Sequence, residues 1–392
     1  MSNNIYKTPN MDSDRLKVMV VLGTRPEIIR LSCVISALEN NMECVLVHTG
    51  QNYDYELNQV FFNDLGVKEP DHYLEVDTSS LGKMMGEILY KIEDLILLEK
   101  PDAFLVLGDT NSAISILMAK RMKIPTYHME AGNRSYDANV PEEINRKLVD
   151  HISDFNLVYT EHARRHLLGE GLHPRFIYLT GSPMKEVLDL YRDKIYTSKI
   201  ISSLNIEKKK YFIVSIHREE NVDNIENLQN ILQSLNYLYE KYNMPIVFST
   251  HPRTKKKIKA LEDNYNFDGI IFYKPFGFYD YNHLQLNSLC TISDSGTISE
   301  ESALLDFPAV TLRNSIERPE ALDTGAIVMS GIDSNLINAV EFAINCHLKP
   351  EHTEIPCDYK ISNTSLRVVN LIMGTAKLTN TWKNMSDFNR YD

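Results

Sequence analysis

Cysteine is scarce in this sequence, and its spacing suggests no pairing. The five cysteines are scattered and include no Cys-x-x-Cys pair, so neither a disulfide framework nor a zinc site is indicated. Long apolar runs are also absent: no segment approaches the ~18 apolar residues that cross a bilayer, and the polar opening MSNNIYKTPNMDSDRL lacks the apolar core of a signal peptide. We therefore expect a cytoplasmic protein with no membrane partner.

Positive charge is in deficit as well. A net charge of -12 excludes the basic surface that non-specific nucleic-acid binding requires, so we expect no nucleic-acid partner. The dinucleotide fingerprint G-x-G-x-x-G is missing from the turn after the first predicted strand, so NAD is not indicated. An anionic ligand must then be bound by arginine and histidine side chains grouped at one site.

The length and the apolar content are sufficient for two domains, with 392 residues of which 43% are hydrophobic. Short β-branched runs alternate with segments of helical apolar spacing, clearest at 81–100, and this alternation predicts parallel strands joined by crossover helices. The predicted strands lie at 16–23, 43–50, 102–109, 124–132, 155–160, 176–182, 211–217, 244–251, 269–275, 289–296, 308–314 and 326–331.

A charged, weakly patterned stretch at 191–210 separates two sets of strands, and we place the domain boundary there. We predict an N-terminal domain at 16–198 and a C-terminal domain at 199–362, with the last helical segment, about 363–392, packing back on the first domain. The predicted fold class is α/β, with two doubly wound Rossmann-like domains that face each other across a cleft, as in GT-B proteins. Ligands of such sheets bind at the carboxyl ends of the strands.

The predicted strand ends of the first half carry arginines and carboxylates. Arg25 and Arg30 follow the first strand, where a helix N-terminus favours an anion. Asp109, Glu130 and Glu142 follow later turns at the same edge of the sheet, so they are candidates to converge. Taken singly, Asp109 is equally a helix N-cap, Glu142 a first-turn acid that favours the helix dipole, and the arginines solvated side chains.

The strand ends of the second half suit a phosphate. His217 ends one strand, and the turn Ser295-Gly296-Thr297 leads from another strand into a helix, where backbone N–H groups are exposed to an anion. Glu301 is placed to accept hydrogen bonds from a ribose, and Arg318 is a further cation for a phosphate contact. Taken singly, His217 is an ordinary turn residue and Glu301 a surface glutamate.

The ordered set of these motifs resembles the non-hydrolysing UDP-N-acetylglucosamine 2-epimerase family across nearly the whole chain: GTRPE, GDTNS, HMEAGNR, PEEINR, HREEN, SDSGTISEE and ERPE. Longer segments look like the capsule and O-antigen branch, which makes UDP-N-acetyl-L-fucosamine from UDP-2-acetamido-2,6-dideoxy-L-talose: HMEAGNRSYDANVPEEINRKLVDHISD, YTEHARRHLLGEG, STHPRT and KPFGFYDYNHLQ.

The resemblance implies C-2 epimerisation of a UDP-sugar by elimination and re-addition of UDP, through a 2-acetamidoglycal, in a homodimer and without a cofactor or metal. It implies catalytic roles for Asp109, Glu130, Glu142, His217 and Arg30. It implies substrate or UDP binding by Arg25, Arg146, Phe276, Tyr281, Ser295, Gly296, Thr297, Glu301 and Arg318. The two aromatic residues are alternatively ordinary core residues.

Three positions depart from the N-acetylglucosamine enzymes of this family. Arg30 stands at the position of a lysine, which keeps the charge but changes its reach. Thr297 replaces the second glycine of the phosphate turn. Asn52 stands where those enzymes carry a histidine near a second, regulatory substrate molecule, so substrate activation is not expected.

Three alternative functions remain. The first is the same reaction on UDP-N-acetylglucosamine, which Arg30 and the HMEAGNR wording disfavour. The second is a GT-B glycosyltransferase, which the set of three carboxylates disfavours. The third is a nucleotide-sugar sensor without catalysis, which would need only the C-terminal phosphate turn.

Overall fold

Two parallel sheets make up the core of the chain in the computed structural model, which describes residues 15–50, 62, 64–259, 261, 267–332, 335–349 and 354–383. Contacts within the chain divide it into two units, with divisions after Gly132, Asp137, Pro183 and Ser362. The second unit comprises Met184–Ser362 and the short segment Asn133–Asp137, and the first unit comprises the rest. Within the described ranges, every helix is too short or too polar to cross a bilayer.

The first sheet has the strand order of a Rossmann fold. In the described chain it contains seven strands in the order β3-β2-β1-β4-β5-β6-β7, all pairs being parallel. The strands are β1 (Lys17–Leu22), β2 (Glu43–His48), β3 (His72–Tyr73), β4 (Ala103–Leu107), β5 (Thr126–Ala131), β6 (Phe155–Val158) and β7 (Ile177–Leu179). Its helices are α1 (Arg25–Asn41), α2 (Leu81–Glu99), α3 (Ile116–Arg121), α4 (Pro141–Ile152) and α5 (Glu161–Gly169).

The second sheet repeats this order with six described strands, β10-β9-β8-β11-β12-β13, again parallel throughout. They are β8 (Phe212–Ser215), β9 (Ile246–Ser249), β10 (Ile270–Tyr273), β11 (Cys290–Ser293), β12 (Ala309–Thr311) and β13 (Val328–Met329). The helices of this unit are α6 (Met184–Leu190), α7 (Arg192–Tyr196), α8 (Ile200–Ser203), α9 (Glu219–Val222), α10 (Ile225–Tyr242), α11 (Pro252–Lys259), α12 (Phe278–Asn287), α13 (Ile298–Leu305), α14 (Glu320–Asp323) and α15 (Leu336–His347).

The chain returns to the first unit through α16 (Thr364–Thr375) and α17 (Thr379–Trp382). Helix α16 packs on α1, and the hydroxyl groups of Thr375 and Tyr127 lie 2.7 Å apart in the buried interior. The Arg175 guanidinium lies 4.3 Å from the centre of the Trp382 ring, within cation–π range. These contacts fix the returning helices on the sheet of the first unit.

Each sheet forms because its strands are apolar on both faces. The side chains of Val18 to Leu22 are fully buried, as expected of a central parallel strand covered by helices on both sides. Each of the twelve predicted strand segments contains an observed strand, and the predicted helix 81–100 is α2. Strand β3 was missed, because its two residues, His72 and Tyr73, show no apolar pattern.

Candidate active site

The polar turns of the first unit meet where its sheet changes winding direction. Strands β1 and β4 are neighbours in the sheet although they are far apart in the chain, and the turns after them open a crevice at their carboxyl ends. Arg25 follows β1 and Asp109 follows β4, so two residues selected from the sequence lie at this crevice. Arg25 is the first residue of α1 and is half-buried.

Glu27 joins these two turns. One of its carboxylate oxygens accepts hydrogen bonds from the backbone N of Gly23 at 2.9 Å and of Thr24 at 2.7 Å, and the other accepts one from the Thr110 hydroxyl at 2.9 Å. Burial raises the pKa of Glu27 to about 7, against the effect of these hydrogen bonds. Sequence reasoning quoted this residue in GTRPE and gave it no role, although Thr-x-x-Glu before a helix is a capping-box signal.

Arg30 and Glu130 form a buried ion pair. Arg30 lies on α1, Glu130 lies on β5, and the two side chains are 7% and 8% exposed. Glu130 has a left-handed backbone, with φ of 65°, at a shift of register between Met129 and Ala131. Such a bulge redirects a side chain, and a left-handed glutamate is strained unless its surroundings hold it.

Glu130 also lies beside the turn that carries Asp109. A Cβ placed on Gly108, which has φ of 74°, would be 3.7 Å from the Glu130 Oε2. The buried His128 supports this arrangement, because its ring nitrogens lie 2.8 Å from the Gly108 carbonyl oxygen and 2.8 Å from an Asp150 carboxylate oxygen. Asp150 in turn accepts a hydrogen bond from the backbone N of Gly132, at 3.1 Å.

Asp109 is held by α4. The Arg146 guanidinium donates to Asp109 Oδ2 through Nε at 3.1 Å and through Nη2 at 2.5 Å. The same guanidinium donates to Glu143 at 2.6 Å, so Arg146 is shared between the two carboxylates of Asp109 and Glu143. Asp109 remains about a quarter exposed (24%), whereas Arg146 is buried at 3%.

Glu142 is placed differently from the other two predicted carboxylates. It is the second residue of α4 and is half-buried, whereas the neighbouring Glu143, which sequence reasoning did not select, is buried. Among the described contacts, none joins Glu142 to Asp109 or Glu130. The structure thus pairs Arg30 with Glu130 and Arg146 with Asp109, whereas Glu142 lies in the first turn of α4.

The second unit has an equivalent crevice between β8 and β11. His217 follows β8, and Asp294 follows β11. The His217 Nδ1 lies 3.0 Å from an Asp294 carboxylate oxygen, and the Asp294 side chain is completely buried. Burial opposes ionisation, yet His217 and the hydrogen bonds from Arg218 N and Asn221 hold the pKa of Asp294 at about 2.

The turn Ser295-Gly296-Thr297 begins directly after Asp294 and enters α13. The hydroxyl oxygens of Ser295 and Thr297 are 2.9 Å apart, and Arg318 Nη1 donates to the Gly296 carbonyl oxygen at 2.6 Å. Arg318 is 3% exposed and also donates to Glu300 at 2.7 Å. Arg318 therefore supports the backbone of the turn, and its predicted contact with UDP stays a prediction.

A second buried ion pair, between Arg313 and Glu317, lies against the same turn. A Cβ on Gly296 would come within 2.9 Å of Glu317 Oε1 and 3.5 Å of Arg313 Nη1, so a side chain at this position would have to displace the Glu317 carboxylate. Neither partner was selected from the sequence. The only available signal was the apolar strand before Arg313, which places that residue at a carboxyl end of the sheet.

The predicted ribose and uracil contacts lie on one side of the second sheet. Glu301 is buried and accepts a hydrogen bond from the Gln285 side chain at 2.8 Å. Burial raises the pKa of the Tyr281 hydroxyl well above its usual range, and Tyr281 packs against the apolar cluster that contains Phe276. Phe276 stacks on Tyr273 with ring centres 4.7 Å apart, so in this structure it is a core residue. Asn52, for which a loss of substrate activation was predicted, lies outside the described residues.

Comparison with known proteins gives a consistent result over nearly the whole length. A sequence profile of the UDP-N-acetylglucosamine 2-epimerase family matches residues 36–373. The chain is 37% identical over 373 residues to the UDP-N-acetylglucosamine 2-epimerase of Methanococcus maripaludis, a match that covers 92% of this chain and 99% of that protein.

Two solved structures share the architecture. The UDP-N-acetylglucosamine 2-epimerase from Rickettsia bellii matches with a TM-score of 0.86 and 44% identity, over 94% of this chain and 98% of that one. The UDP-GlcNAc 2-epimerase of Methanocaldococcus jannaschii, solved in complex with UDP-GlcNAc and UDP, matches with a TM-score of 0.84 and 36% identity, over 92% of this chain and 100% of that one. The predicted α/β class, with two doubly wound parallel sheets of the GT-B kind, is confirmed.

Proposed function

The chain belongs to the UDP-N-acetylglucosamine 2-epimerase family, and we propose that it inverts C-2 of a UDP-linked N-acetylamino sugar by releasing UDP and adding it back. The C-2 hydrogen of such a sugar is not adjacent to a carbonyl carbon, so its removal alone would leave an unstabilised carbanion. Loss of this proton together with cleavage of the anomeric C–O bond forms the C1–C2 double bond of a 2-acetamidoglycal, and UDP leaves with the C–O electron pair. Return of a proton to the opposite face of C-2, and of UDP to C-1, gives the epimer.

One observation carries the proposal: two carboxylates at the first crevice are each paired with an arginine. Arg146 binds Asp109 and Arg30 binds Glu130. A guanidinium beside a carboxylate stabilises the anionic form, which accepts a proton, and a carboxylate that has taken up a proton can donate it. Because elimination and re-addition need a proton acceptor and a proton donor at C-2, we assign these roles to Asp109 and Glu130, with Glu142 as the third candidate.

The second unit supplies the groups proposed for UDP. His217 and the Ser295-Gly296-Thr297 turn are assigned to the diphosphate, where hydrogen-bond donors stabilise the charge that develops as UDP leaves. We propose Arg25 and Arg146 as further substrate contacts from the first unit. Glu301 is proposed for the ribose and Tyr281 and Phe276 for the uracil, although Phe276 reaches a ligand only if its stacking on Tyr273 leaves one edge accessible.

An experiment in D2O tests the reaction. The wild-type protein, given the UDP-sugar, should yield the C-2 epimer with deuterium at C-2, because the acid that returns a proton to C-2 has exchanged with D2O. It should also release a trace of UDP, because some glycal and UDP escape before re-addition. Asp109→Asn serves as the matched variant and should give neither product nor deuterium. Epimerisation without deuterium uptake would exclude proton transfer at C-2.

For the substrate we propose UDP-2-acetamido-2,6-dideoxy-L-talose, converted to UDP-N-acetyl-L-fucosamine for a capsule or O-antigen. The HMEAGNRSYDANVPEEINR wording and Arg30 support this assignment. UDP-N-acetylglucosamine is the alternative, and the names of the similar proteins support it. Both nucleotide sugars should be tested side by side in D2O: a kcat/KM higher for UDP-N-acetylglucosamine would overturn the L-talo assignment while leaving the reaction intact.

A glycosyltransferase remains the competitor from a different class. Such an enzyme would release stoichiometric UDP only when an acceptor sugar is present, and it would leave no deuterium at C-2. The arginine-paired carboxylates favour the epimerase, because glycosyl transfer to an acceptor needs no base at C-2.

We further propose that the protein works in the cytoplasm as a homodimer. Helix α4 supports a dimer, because two of its apolar residues, Ile144 and Leu148, are 68% and 41% exposed, whereas Glu143, Arg146 and Asp150 are buried beside Val149. Exposed apolar side chains on a helix with a mostly charged inner face indicate contact with another protein surface. Leu97 and Leu98 on α2 are exposed as well, and α2 and α4 both pack against α3.

A further inference from the structure

We propose that Asp294 is a positioning residue for His217, holding Nδ1 of its ring towards the carboxylate so that Nε2 is presented to the diphosphate. This inference rests on the proposed function, in which His217 meets the diphosphate of the UDP-sugar. Asp294 is fully buried, so it would act on the ligand only through the His217 ring.

The carboxylate of Asp294 is surrounded by donors from the turn after β8. The backbone N of His217 lies 3.1 Å from both of its oxygens, and the backbone N of Arg218 lies 3.0 Å from one of them. The Asn221 side chain donates to the same oxygen at 2.9 Å. Asp294 therefore fixes the backbone of the His217 turn against the end of β11, at the change of winding direction in the second sheet.

The carboxylate of Asp294 also contacts the His217 ring. An ionised carboxylate only accepts hydrogen bonds, so the ring nitrogen at 3.0 Å, Nδ1, must carry a proton. With Nδ1 turned towards a buried group and the side chain 51% exposed, Nε2 is the nitrogen that a ligand reaches. We place a proton on Nε2 as well, so that it donates to the diphosphate oxygen on which charge develops, while the buried carboxylate balances the imidazolium charge.

A purely structural role for Asp294 predicts something different. In that case the carboxylate would matter only for the backbone N–H groups, and its loss would weaken folding without regard to the His217 ring. The two roles are separated by a double-mutant cycle, because residues that act as a unit have non-additive effects on turnover.

The cycle compares wild type, Asp294→Asn, His217→Gln and the double variant. We expect Asp294→Asn to lower kcat by about 10²-fold, and to have little further effect once His217 is glutamine. Asp306→Asn is the charge-matched control, since Asp306 is an exposed residue at the end of α13, and its kcat should equal that of wild type. Additive losses in the double variant, or an unchanged kcat in Asp294→Asn, would overturn the proposal.

Nitrogen NMR of ¹⁵N-histidine-labelled wild type tests the same point without a substitution at 294. The His217 signal, identified as the one of the 12 histidines lost in His217→Gln, should show a protonated Nδ1. An Nε2–H tautomer with bare Nδ1 in wild type would contradict the positioning role even if the asparagine variant fails to fold. The spectrum is independent of turnover, so a protein with protonated Nδ1 but no epimerase activity would contradict the proposed function alone.

Discussion

Asp109 and Glu130 are each paired with one arginine, and the two pairs differ in exposure. Asp109→Asn and Glu130→Gln keep the size of the side chain and remove the charge that proton transfer requires. We expect kcat to fall at least ~10²-fold in each, the usual scale for losing a positioned acid or base. UDP affinity should stay near the wild-type value, because the proposed UDP groups lie on other turns. Stopped assays for turnover and titration calorimetry for UDP measure the two quantities.

The control for this pair is Glu39→Gln, an exposed glutamate on α1 outside the crevice. It should match wild type in both measurements. If Asp109→Asn and Glu130→Gln turned over substrate at the wild-type rate, both carboxylates would be structural and the proton would have to move through other groups.

Glu27 gives the stability of the protein a defined pH dependence. Its pKa is raised from the ordinary 4.5 to about 7 by burial, so the folded chain holds this proton over a range in which the unfolded chain has lost it. The stabilisation is complete below pH 4.5 and is lost as the pH rises through about 7. Between these two pH values, the contribution of Glu27 to the free energy of unfolding falls by about 3 kcal/mol.

Glu27→Gln should remove this dependence, because glutamine does not titrate. We expect calorimetric melting temperatures at pH 5 and pH 8 to differ less in Glu27→Gln than in wild type. Glu39→Gln should behave as wild type does. An equal pH dependence in wild type and Glu27→Gln would show that Glu27 is already ionised at pH 5.

The sequence identified the polar turns of the site, but it did not identify the partners behind them. Glu142 and Glu143 are adjacent and chemically alike, and only the packing of α4 decides that Glu143 is the buried one. Asp294 was assigned no role from its motif SDSGTISEE, and only the fold shows that it is buried against His217. Arg318 was predicted from its charge, whereas its contacts to Gly296 and Glu300 depend on packing. Whether such a side chain is buried depends on the tertiary structure, and the spacing of residues along one strand does not predict it.

At the scale of helices and strands, prediction succeeded where the pattern was long and apolar. Helix α2 has Ile88, Ile92 and Ile96 buried at helical spacing, and it begins at the Ser80 cap. Helix α4 shows the limit of the method, because three of its four buried residues are charged and its apolar residues Ile144 and Leu148 are exposed. A rule that turns apolar residues inward assigns the wrong face to such a helix.

The contact between the end of β5 and α5 depends on Gly132. Its φ is 81°, and a Cβ there would lie 2.4 Å from the Ala163 carbonyl oxygen. Gly132→Ala should therefore destabilise the first unit on the order of 3 kcal/mol, through backbone strain and the displacement of α5. Urea unfolding followed by far-UV circular dichroism measures the change.

Gly169→Ala is the matched control on the same helix. A Cβ at Gly169 meets no atom within 4 Å, so alanine should be neutral or stabilising by about 0.5–1 kcal/mol. Equal unfolding midpoints for the two variants would show that α5 adjusts its position at no measurable cost.

At the scale of the whole molecule, the exposed apolar face of α4 predicts an oligomeric state. Wild type should sediment at twice the mass of one chain, and Ile144→Arg combined with Leu148→Arg should shift it to the monomer, because two buried charges oppose association. Leu366→Arg, at an equally exposed leucine of α16, should remain dimeric. A monomeric wild type at micromolar concentration would remove the dimer proposal.

Because α16 packs on α1, the first unit can be completed during synthesis only after the second unit has been made. The second unit has all of its described strands once Ser362 has been made, but α1 still lacks its contact with α16 at that moment. Domains generally fold as units while the chain is being produced. The unit that a ribosome makes first is therefore the one that finishes last, because the side of α1 that α16 covers stays exposed until residues 364–375 have emerged.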